Sequence, residues 1–195
     1  MGLVTLVLGL VIFLGPHVLV TRREARAQLI ARIGETPYKI GFSIMSAIGV
    51  EQIAYGFGWH RTSEWINVWT PPVWTRHLAL LLVWPAIIMI VAAYIPGNIK
   101  RVLKHPMLAG VKLWAFAHLI SNGDLGSILL FGSILAWAVY DRISLKHRTD
   151  AGAPEIPVGG WPRDVAAVVV GTLLYLVLAF WFHPAVIGVP VVPTR

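Results

Sequence analysis

The stretch Leu78-Ala79-Leu80-Leu81-Leu82-Val83, inside the apolar run His77–Ile95, decides the fold class. A membrane-spanning β-strand alternates apolar and polar residues at period two, and this stretch does not. Wound as an α-helix, a run of that length rises about 28 Å, close to the roughly 30 Å hydrocarbon core of a bilayer. Working outward, five more apolar runs follow the same rule: Gly2–Val20, Lys39–Gly58, Met107–Ser121, Asp124–Tyr140 and Asp164–His183. The sequence therefore predicts an all-α, polytopic membrane helix bundle of about six transmembrane helices, forming a single domain over 1–195. Met107–Ser121 is short for a crossing, so its flanks are expected to supply part of the span.

Composition agrees. Of the 195 residues 57% are hydrophobic and only 13% charged, about half the charged share of ordinary soluble domains. A soluble enzyme of this size could not cover its surface with so few charges. Cysteine is absent, which excludes disulfides, thiolate metal sites and cysteine nucleophiles. No basic stretch precedes Met1-Gly2-Leu3-Val4, so the first run is expected to be a retained helix rather than a cleaved signal peptide.

The net charge of +7 is informative through its distribution. Arg22, Arg23, Arg26, Arg32 and Lys39 follow the first run, and Lys100, Arg101 and Lys104 the third. Arg142, Lys146, Arg148 and Arg163 follow the fifth. The opposite side holds only Arg61, Arg76 and Arg195, while Lys112 lies within a helix. The positive-inside rule then puts both termini outside and the basic loops in the cytoplasm. The basic residues are scattered rather than interleaved with aromatics, so no nucleic acid partner is expected. Membrane lipid is. Trp59, Trp65, Trp69 and Trp74 around Pro71-Pro72 read as an aromatic belt at the headgroups. Thr21–Ile33 reads as a helix lying on, or projecting from, the membrane surface. Gly132 and Ala136 are spaced for close helix contact.

Polar side chains inside apolar runs carry the functional signal, because a central Lys or Asp costs roughly 2.5–3.5 kcal/mol on insertion scales. They are His17, Glu51, Gln52, Lys112 and His118. His77 and His183 fall at run ends, where interfacial solvation explains them. Residue counts put Glu51 and His118 at similar depth, about 18 Å from the inner edge at 1.5 Å per residue. Glu51 could thus accept a hydrogen bond from His118, behind a metal or simply between helices. Met107, Val111, Trp114 and His118 share one face of their helix, and His105 with Lys112 another. His105 and His118 differ by about 220°, so one regular helix cannot aim both at one site. Leu6, Leu10, Phe13 and His17 form a stripe behind Gly15-Pro16. Imidazoles on two helices make a bis-His metal site conceivable, and haem iron is the metal such a pair suits.

At these residues the chain resembles a known family. Leu14-Gly15-Pro16-His17-Val18-Leu19, the stretch Lys104-His105-Pro106-Met107 through His118-Leu119, Asn122-Gly123-Asp124-Leu125 and Leu129-Leu130-Phe131-Gly132 are similar to the NnrU proteins. These are bacterial membrane proteins linked to nitrite and nitric oxide reduction in denitrification. They share ancestry with 15-cis-zeta-carotene isomerase, a membrane enzyme that uses haem b. The resemblance implies haem b held by His17 and His118, with His105 as a rival ligand and His60 matching a further family histidine. Lys112, Trp114 and Glu51 fall around that expected site. Two positions depart from the isomerase, which has Cys where this chain has Ala115 and His where it has Trp137. The depths also differ: His17 is three residues from a basic loop, whereas His118 is deep. Either a helix shifts, or shallow His105 is the partner of His17.

Three functions compete on these residues. One is a haem-dependent cis–trans isomerase of a lipophilic polyene, in which iron binds a double bond in one oxidation state and a second His caps it in the other. Another is a haem-handling or assembly protein for nitrite and nitric oxide reduction, without catalysis of its own. The third is a membrane methyltransferase, suggested by Lys104-His105-Pro106 with Gly110 but lacking the downstream Glu pair.

Overall fold

The computed structural model describes residues 1–147 and 159–192. Among the described residues eight α-helices run in chain order: α1 Gly2–Thr21, α2 Arg23–Ile33, α3 Glu35–Ser63, α4 Val73–Tyr94, α5 Asn98–Leu103, α6 Pro106–Ser121, α7 Leu125–Lys146 and α8 Trp161–Val177. The last continues as a π-helical segment, Leu178–Ile187. Among the described residues the only β-type pairing is an isolated bridge between Asn67 and Asp124.

Among the described residues five elements are long and apolar enough to cross a membrane: α1, α3, α4, α7, and α8 with its π continuation. The sixth expected crossing, α6, has 16 residues and spans about 24 Å, short as the sequence indicates. Boundaries differ most where charge made the sequence look non-helical. Helix α3 starts at Glu35, supported by an i,i+4 ion pair from Lys39 to Glu35 at 2.8 Å. It runs past Gly58 to Ser63, where His60 and Arg61 suit the negative end of the helix dipole. Helix α7 likewise continues beyond Tyr140 to Lys146. The expected surface helix breaks from α1 at Arg22 (φ −92°, ψ 81°) and buries none of its residues. Arg148 and Arg195 lie outside the described residues.

The helices form two compact units interleaved along the chain, Met1–Trp69 with Gly123–Arg148, and Thr70–Asn122 with Thr149–Arg195. In the first unit, α1 and α3 touch backbone to backbone through glycines. A Cβ on Gly56 would lie 2.4 Å from the Leu6 nitrogen, and one on Gly9 2.6 Å from the Ile53 nitrogen. Such small-residue seams let membrane helices gain dispersion energy that lipid contact cannot supply. The seam is here and not at the expected pair: a Cβ on Gly132 would meet nothing within 4 Å, and Ala136 is exposed. The rotation of α7 instead buries Ala138.

In the second unit α4 packs against both α6 and α8. Gly110 lies against the Ala86 carbonyl, and Gly171 against Ile88. Trp84 Nε1 donates to Thr172 Oγ1 at 3.0 Å, and the Tyr175 hydroxyl donates to the Leu80 carbonyl at 3.1 Å. At the start of α8, Asp164 accepts from the Ile99 N–H at 2.9 Å and from Asn98 Nδ2 at 2.8 Å.

Candidate functional site

His17 and His118 belong to different units, and each is built by its own helix in the same way. The His17 Nδ1 bonds the Phe13 carbonyl at 2.7 Å, and the His118 Nδ1 bonds the Trp114 carbonyl at 2.8 Å. Each carbonyl lies one turn back, so Nδ1 carries the proton in the neutral ring and the lone pair sits on Nε2. A backbone carbonyl behind the imidazole is the usual support of a metal-bound histidine. It is also a common helical rotamer: exposed His147 makes the same bond to Ile143 at 2.8 Å.

Surroundings separate this half-buried pair from the exposed His147. Three aromatic rings surround the His17 imidazole: Phe13 at 4.3 Å between centroids, Phe42 at 4.9 Å, and Trp137 edge-on at 5.3 Å. On α6 the Trp114 ring lies tilted against His118 at 4.9 Å. Across from it stands His183, ring centroids 6.2 Å apart and planes inclined by 28°. Interfacial solvation was the sequence reading for His183. Instead the π-helical segment faces it toward His118. One sequence signal was present: Pro184 follows it, and the missing N–H of a proline inside a helix disturbs regular winding.

The other sequence candidates fall as follows. Glu51 lies on an exposed part of α3, and the support expected from it for the His118 Nδ1 comes from the Trp114 carbonyl. His105 ends the turn before α6, where its carbonyl accepts the Ala109 N–H at 3.1 Å and Pro106 takes the first helical position. Its ring is half-buried, as is Lys112. His60, expected in a loop, is fully buried in the last turn of α3. Its Nε2 accepts the Gly126 N–H at 3.2 Å and stands 3.6 Å from Asp124 Oδ1. Asp124 caps α7 by accepting from Ser127 N–H at 2.9 Å and Ser127 Oγ at 2.5 Å. This cluster fastens the end of α3 to the start of α7, while among the described residues the buried His60 Nδ1 has no hydrogen-bond partner.

Among the described residues no group of three or more His, Asp or Glu is placed to hold a metal ion. Neither α6 nor the π-helical segment contains a carboxylate. A bare dication would therefore stay uncompensated in a low-dielectric interior. A donor set of neutral imidazoles fits a metal that brings its own anionic ligand, as porphyrin iron does. No curated protein and no solved structure matches the chain. The family model of the NnrU proteins matches residues 5–191, nearly the whole length, and with the apolar helices described above this places the chain among membrane proteins: it belongs to the NnrU family.

Proposed function

We propose that this NnrU-family protein binds haem b within the bacterial inner membrane, with His118 as an iron ligand. The observation that carries the reading is the His118 imidazole, fixed by a carbonyl one turn back and flanked by the Trp114 ring. That arrangement presents Nε2 in the neutral form iron requires, and the aromatic rings suit a planar macrocycle. When bound, haem supplies an iron centre able to take an exchangeable ligand. The protein's part is to hold the nitrogens, exclude water and admit a lipophilic substrate from the bilayer. Cis–trans isomerisation of a lipophilic polyene is the enzymatic reading consistent with those parts.

The test is an absorption spectrum of the full chain after haem-replete expression. A Soret band in the wild type, lost or shifted in His118→Ala, is the expected result. A wild type without the band overturns the reading.

A second, non-catalytic reading is favoured by one contact. Trp137 sets an indole edge against His17 where the related isomerase has a histidine, so this chain lacks a proton-carrying group there. On that reading the protein handles haem, or assists assembly, for nitrite and nitric oxide reduction. Deleting the gene and measuring zeta-carotene isomers beside nitrite and nitric oxide turnover separates the two.

A further inference from the structure

We propose that His183 is a second nitrogen ligand at His118, so that two imidazoles of one unit hold one metal centre between them. The inference takes the identity of the metal from the haem reading.

The spacing is the first argument. With metal–nitrogen bonds of about 2 Å, two imidazoles on opposite sides of one metal have ring centres roughly 6 Å apart. His118 and His183 stand at 6.2 Å. A direct hydrogen bond between two rings, at about 2.9 Å between nitrogens, would draw the centres in to roughly 5 Å.

Orientation is the second. The bond from His118 Nδ1 to the Trp114 carbonyl commits Nε2 as the ligating nitrogen. His183 sits midway along the π-helical segment Leu178–Ile187. Widened turns of this kind re-aim side chains and are frequent at functional sites. The third argument is the gap itself. Helix α6 and the π-helical segment do not pack closely through their backbones, and the two rings reach across the space. With no carboxylate on either element, the pair favours a metal already neutralised by its own ligand.

The experiment uses the full chain in detergent with haem b as the probe, comparing wild type, His183→Ala, His118→Ala and, as a control, His77→Ala at an exposed position. The expected result is loss of the low-spin EPR signal in His183→Ala and growth of a high-spin one, with free imidazole in solution restoring the wild-type spectrum. A purely structural role would not respond to imidazole. Haem-loaded wild type and His183→Ala with identical spectra would overturn this inference and leave the haem reading standing. If the wild type takes up no haem, the haem reading fails and this inference, which takes its metal from it, falls with it.

Discussion

Gly126 shows how little room a single position leaves. A Cβ there would lie 2.4 Å from His60 Cδ2 and 3.3 Å from Asp124 Oδ1, and His60 is fully buried. Gly126→Ala is expected to destabilise the protein by about 1–3 kcal/mol through overpacking, and Gly132→Ala, which faces open space, by far less. Thermal denaturation of both variants in detergent checks the contrast. Glu64, just past α3, gives the acid-side prediction. The N-terminal ammonium of Met1, and then backbone N–H groups including that of Leu3 at 3.3 Å, hold its carboxyl below the usual range. A carboxyl depressed on folding contributes stability above its unfolded pKa and loses it as pH falls through the folded value. Glu64→Gln is therefore expected to flatten the acid side of a stability–pH curve measured by denaturation. At this scale the sequence disclosed His17 and His118, because an imidazole inside an apolar run stands out. It concealed His60, which lies in Trp59-His60-Arg61, a polar stretch that imitates a loop but caps a helix end.

Among the elements, α4 and α8 show where hydrogen bonds replace hydrophobic burial. Inside a bilayer such bonds average about 0.6 kcal/mol. Tyr175→Phe removes the bond to the Leu80 carbonyl and Trp84→Phe the bond to Thr172. Each is expected to lower stability by about 0.6 kcal/mol, and the double variant by about the sum if the two bonds act independently. Chemical denaturation in mixed micelles checks both. The existence of the long helices was legible, because long apolar runs have one stable backbone solution in lipid; that of the short α5, within a basic loop, was not. The facing of α7 was not: the Gly132/Ala136 spacing describes a possible seam, but the partner's surface decides which stripe turns inward. Nor was the π winding after Val177, since a regular 3.6-residue period carries His183 to the helix end rather than toward α6.

For the whole molecule, sidedness is the open property that charge predicts. Because the chain has no cysteine, single cysteines report position without background. In intact cells a membrane-impermeant maleimide is expected to label Asn67→Cys and to spare Gly34→Cys and Lys100→Cys. Labelling in the reverse pattern would invert the topology drawn from the basic loops.

The interleaving of the two units has a consequence for biogenesis. Helices α1 and α3 are made early, but α7, which completes their unit, emerges only after residues 70–122. At roughly 5–20 residues per second, the ribosome therefore leaves His60 facing the insertion machinery for seconds before Asp124 and Gly126 arrive. A nascent chain arrested before residue 123 should be retained by the translocon or degraded, and the first committed hairpin should be the glycine-seamed pair α1 and α3.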